Sequence, residues 1–93
     1  MFIAVLQLEL HIPGADSLKE KRMVVNSLLG KIRARFNVSA AQLDNHDLWQ
    51  SATLGICVIS NDKTAAQKVL YQVRDLVEAE ARCDVAQCRI EIL

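Results

Sequence analysis

The chain has 93 residues, enough for one domain spanning 1–93, and a chain this short hides only about 60 to 65% of its unfolded surface, so its core must be economical; an apolar fraction of 52% meets that demand. Lysine plus arginine balances aspartate plus glutamate at 11 each, which excludes a whole-chain field drawing the protein onto nucleic acid or anionic lipid and leaves only local asymmetry to be read. Three cysteines without metal-ligand spacing, an immediately apolar N-terminus with no basic leader, and no apolar run near bilayer length point away from a disulfide scaffold, a secreted protein and a membrane span, and towards the cytoplasm.

Phe2 to His11 alternates. Phe2, Ala4, Leu6, Leu8 and Leu10 fall on one side and Ile3, Val5, Gln7, Glu9 and His11 on the other, the period of a strand with one buried face. Ile12 to Asp16, with Pro13 and Gly14, reads as a turn. Ser17 to Phe36 then repeats Leu18, Val25, Leu28, Leu29, Ile32 and Phe36 at three- and four-residue steps, which predicts an amphipathic helix of about five turns. Ser17 stands three residues before Glu20, the spacing of a capping box. Gly30 in that helix costs about 1 kcal/mol relative to alanine, so it asks for close packing or the approach of a partner.

Asn37 to Leu43 predicts a short edge strand with Val38 and Ala40 inward, and Asp44 to Gln50 a connection. Ser51 to Ser60 reads as a central strand, with Ala52, Leu54, Ile56 and Val58 inward and Thr53, Gly55, Cys57 and Ile59 outward. Asn61 or Asp62 caps a second helix with the stripe Ala66, Val69, Leu70, Val73, Leu76 and Val77, ending in a turn after Glu80. Cys83 to Leu93 closes as a strand with Ala86, Cys88, Ile90 and Ile92 inward. All three cysteines read as small apolar residues, buried or half-buried.

The order strand, helix, strand, strand, helix, strand predicts an α+β, ferredoxin-like sandwich: a four-stranded antiparallel sheet with both helices on one face. The other face stays open and mixed, with Ile3, Val5, Cys57 and Ile59 beside Gln7, Glu9, Thr53, Arg89 and Glu91, which predicts self-association, sheet to sheet or edge to edge, most simply as a homodimer.

Charge concentrates on the first helix. Lys19, Lys21, Arg22, Lys31, Arg33 and Arg35 stand there against the single anion Glu20, whereas Asp62 to Asp84 is close to balanced. At 100° per residue the cations split into two flanks, Lys19, Arg22, Arg33 and Lys21, Lys31, Arg35. They read either as a phosphate-contacting surface for RNA or as a solvated border of the buried stripe. His46 and Trp49, in the Asp44 to Gln50 connection, form a second candidate contact, a binding hot spot or a capped turn. The four aromatics, Phe2, Phe36, Trp49 and Tyr71, avoid the open face, so base stacking on the sheet is not expected. No phosphate loop, paired-carboxylate motif, triad spacing or metal-ligand cluster is present, so neither an enzyme nor a cofactor is expected.

Four segments, Ser17-Leu18-Lys19-Glu20-Lys21-Arg22, Arg35-Phe36-Asn37-Val38-Ser39, Asp47-Leu48-Trp49-Gln50 and Val58-Ile59-Ser60-Asn61-Asp62, together resemble the YlxP-like family of small bacterial proteins, a domain of unknown function. Gln42 stands where that family usually carries an acidic residue. The resemblance runs nearly end to end and implies a ferredoxin-like fold and a cytoplasmic, non-enzymatic role in translation or ribosome maturation, because the family's genes commonly neighbour those for a translation initiation factor and ribosome-binding factor A. Ribosomal RNA or a ribosome-associated protein is then the implied partner. The rival expectation is a dimeric regulatory module that binds a small molecule on the open sheet face or at the dimer edge.

Overall fold

The computed structural model describes residues 1–44 and 48–93, with Asp44 described by its backbone alone. Six elements follow in the expected order: β1 (Phe2–His11), α1 (Leu18–Arg35), β2 (Ser39–Asp44), β3 (Ser51–Ser60), α2 (Lys63–Glu78) and β4 (Asp84–Ile92). The strands form one sheet in the order β2-β3-β1-β4, antiparallel throughout. Both helices cover one face, α1 over β2 and α2 over β1, β3 and β4, which is the ferredoxin-like sandwich.

Alternation sets the core. Ala4, Leu6, Leu8 and Leu10 pair across the ladder with Val58, Ile56, Leu54 and Ala52, and all eight are buried beneath the helices. From above, α1 contributes Val24, Val25, Leu28, Leu29 and Ile32, and α2 contributes Ala66, Leu70, Val73 and Val77. Each fully buried Leu, Ile or Val side chain is worth about 1.5–3 kcal/mol, so this single layer between helices and sheet carries the fold.

The caps bear out the helix starts and refine one. The Ser17 hydroxyl accepts from the Glu20 N–H at 3.2 Å, but the Glu20 carboxylate reaches back one residue further, accepting from the Asp16 N–H at 2.6 Å. Asp62 caps α2, its Oδ1 accepting from Thr64 N–H at 2.9 Å and Ala65 N–H at 3.4 Å. Phe36 closes α1 with its N–H bonded to the Ile32 carbonyl.

Three expectations are corrected. Lys21 is fully buried: the step Leu18, Lys21, Val25, Leu28, Ile32 puts it on the core side of α1, so it belongs to neither solvated flank. In β4, a bulge opposite Glu9 and Leu10 shifts the partner from Gln87 to Val85, so Val85 turns inward and Ala86 stands exposed. Cys88, though on the helix side of β4, lies at the sheet margin and is exposed, while Cys57 is half-buried and Cys83 buried.

On the open face a second bulge, in β2 between Gln42 and Asp44, lays Leu43 across Gly55 of β3. A Cβ at residue 55 would lie 2.5 Å from Leu43 Cδ1 and 2.9 Å from Cγ, so glycine is what lets the leucine lie there. Gly30 is different. It sits on the exposed side of α1 with nothing within 4 Å of where a Cβ would be, so packing within the chain gives no reason for it.

Candidate functional site

The six cations of α1 separate into five situations. Lys21 points into the domain, its Nζ donating to the Ser51 carbonyl at 3.1 Å in one of its interactions. Lys31 faces the turn that follows α2, where Glu80 Oε2 lies 3.5 Å from its Nζ. Arg33 turns the opposite way and donates to the Ala40 carbonyl of β2. Arg35 lines the groove between the helices with Phe36, Leu76 and Ala79. Lys19 and Arg22 remain, both exposed and neither in an ion pair among the described residues.

The start of α1 is fixed against the connection that enters β3. The Ile12 N–H donates to the Gln50 carbonyl at 2.9 Å, and the Gln50 amide donates back to the carbonyls of Pro13 at 3.2 Å and Ala15 at 3.4 Å. With the Lys21 to Ser51 bond, these contacts tie the β1–α1 turn, the first turn of α1 and residues 48–51 into one end of the domain. At that end Leu48 and Trp49 are 52% and 54% exposed, and with His11, Gln50 and Ser51 they line a shallow depression. Lys19, Arg22 and Trp49 are therefore brought to one end of the molecule, while Lys31, Arg33 and Arg35 are not. His46 lies outside the described residues.

Electrostatics elsewhere serves the fold. Glu80 accepts from Arg82 Nε at 2.6 Å and stands beside Lys31, and the hydrogen bonds from Arg82 hold its carboxyl down at about 2, against an ordinary 4.5. Arg82 also donates to the Ser27 hydroxyl at 3.2 Å, which fastens the α2–β4 turn to α1. Burial pushes the Cys83 thiol up, away from thiolate chemistry. Among the described residues no group of three or more His, Cys, Asp or Glu could hold a metal ion, and no helix is long and apolar enough to cross a membrane.

The burial of Lys21 escaped the sequence reading because lysine is rarely core; its phase with Val25, Leu28 and Ile32 was the available signal. The Gln50 amide contacts carried none, since they join segments 35 and 37 residues apart.

A family model described as "Protein of unknown function (DUF503)" matches residues 3–90. The chain is also 32% identical over 77 residues to a Bacillus subtilis (strain 168) protein named "Uncharacterized protein YlxP", covering 83% of this chain and 84% of the relative. A solved structure, a de novo designed protein with a ferredoxin fold, superposes with a TM-score of 0.58 at 14% identity over 100% of this chain and 84% of its own, a likeness of fold alone.

Proposed function

The chain belongs to the family of proteins of unknown function DUF503, and from that premise we propose that it is a non-enzymatic RNA-binding protein of translation or ribosome maturation, contacting ribosomal RNA through the first turn of α1 and the Trp49 segment. The observation that carries this reading is the sorting of the helix cations: Lys19 and Arg22 stand exposed at the end of the domain that also carries the half-exposed Trp49, free of carboxylate partners among the described residues. Two cations meet backbone phosphates and release counterions, and one indole offers a stacking surface for an unpaired base. Single-stranded or looped RNA suits such a small mixed patch better than a long duplex. Gly30, exposed on the outer side of the same helix, leaves room for a close approach along it.

The test is binding of the full chain to ribosomal RNA and isolated ribosomal subunits across a salt series. The wild type is compared with a Lys19→Ala, Arg22→Ala double variant and with Trp49→Ala. Loss of two phosphate contacts lowers the slope of log K against log salt by about 1.4 to 1.8. Trp49→Ala weakens binding while leaving that slope unchanged, because stacking releases no counterions. Wild-type protein that fails to bind, or a double variant with the wild-type slope, sinks the proposal.

A further inference from the structure

The two edges of the sheet are finished differently. At the β2 edge the outward carbonyl of Ala40 is occupied by the Arg33 guanidinium. At the β4 edge the direction of the backbone can be read from one bond: the Leu93 N–H donates to the Ile3 carbonyl at 2.8 Å, and these residues continue the register in which Ala4 faces Ile92. Because hydrogen-bonded and non-bonded pairs alternate along an antiparallel ladder, residues 89, 91 and 93 turn their backbone groups towards β1. Those of Cys88, Ile90 and Ile92 turn outward, and among the described residues nothing is bonded to them. The bulge at Ala86 disturbs only the start of β4, so a regular stretch from Gln87 onwards lies open, without Pro or Lys.

We propose that this edge pairs with β4 of a second copy of the chain, antiparallel about a two-fold axis at Ile90, joining two sheets into one of eight strands. The side chains select that register. With Ile90 opposite Ile90, Cys88 faces Ile92 and Arg89 faces Glu91 of the second copy, and symmetry repeats both pairs. The bonded positions are then the outward-facing ones, giving about six interchain backbone hydrogen bonds. Shifting the axis to Arg89 or to Glu91 sets like charges directly opposite one another, which is unfavourable across strands. A slip to an odd register mates helix-side residues with open-face residues and is excluded by the half-buried Ile90 and Ile92. In the chosen register those two isoleucines extend a continuous apolar row across the junction, and Arg89 and Glu91 complete their charges on the open side.

Strand pairing of this kind buries less surface than a face-to-face dimer, so the association is concentration-dependent, with a Kd on the order of micromolar. Sedimentation equilibrium of the full chain under reducing conditions tests it. Arg89→Glu places two like-charge pairs across the junction and raises the dimer Kd about tenfold or more. The exchange Arg89→Glu with Glu91→Arg restores it, because each new pair is again opposite in sign. Cys88→Pro removes an outward N–H that makes no bond within the chain, so it abolishes the dimer while circular dichroism and thermal unfolding remain those of a folded protein. If Cys88→Pro perturbs folding, the charge exchange alone decides. A wild type that is monomeric at hundreds of micromolar overturns the proposal; so does a dimer indifferent to Arg89→Glu, or one that the double exchange fails to restore.

Discussion

Replacing Gly30 by alanine isolates a single physical term. The residue lies in the interior of an 18-residue helix, on its exposed side, and a Cβ built there meets no atom within 4 Å. Nothing must move, so the gain is the difference in helix propensity, about 0.8–1.0 kcal/mol, arising from the freedom glycine keeps in the unfolded chain. Unfolding entropy near 60 °C is about 2.1 cal/mol/K per residue, hence about 195 cal/mol/K for a chain of this length. Dividing one by the other gives a rise in Tm of about 4 to 5 °C, read by calorimetry or by circular dichroism at 222 nm. A Tm unchanged or lowered refutes the reasoning, because it means residue 30 is not an unencumbered helical position. Stability and function separate in the same variant: if a partner lies close along this side of α1, the more stable protein binds ribosomal RNA more weakly than the wild type.

Lys21 and Lys19, two residues apart, respond oppositely to truncation. Lys21→Ala removes a fully buried stem and the hydrogen bond its amine donates to the Ser51 carbonyl, costing about 2–5 kcal/mol in urea unfolding, whereas Lys19→Ala changes stability by less than about 0.5 kcal/mol. Equal midpoints for the two variants would show that Lys21 is not a core residue. The Glu80 carboxyl titrates at about 2 in the folded protein against an ordinary 4.5, so its contribution to stability is complete above about 4.5 and is lost as the pH falls towards 2. Glu80→Gln therefore flattens that part of the acid-unfolding profile, and an acid limb identical to wild type counts against the Glu80, Arg82 and Lys31 cluster.

Most of the architecture was legible because it rests on period and punctuation. The alternation of β1 and β3, the three- and four-residue steps of the helices and the caps at Ser17 and Asp62 are local signals, and each element formed where they placed it. What the sequence hid depends on register or on distant partners. The bulge that exchanges Ala86 for Val85 follows from pairing with β1, and alternation alone has no way to announce the extra residue. Cys88 keeps the core-side phase but finds no helix above it at the margin of the sheet. The cations of α1 all count equally in a charge sum; only the fold reveals that Lys21 is buried and that Lys31 and Arg33 are engaged with the turn after α2 and with β2, leaving Lys19, Arg22 and Arg35 exposed and without an ion pair among the described residues.

The Arg33 bond to Ala40 bears on how large an assembly this protein can build. A sheet with two free margins can add copies head to tail without limit, since every addition presents a fresh margin, and that is the geometry of a growing fibre. Here one margin carries a side chain from the helix above it on one of its outward carbonyls, so β2 is the more obstructed margin and β4 the more open one. In the proposed dimer the guanidinium thus works against the addition of further copies, from a position that lies on the far side of the sheet from the junction itself.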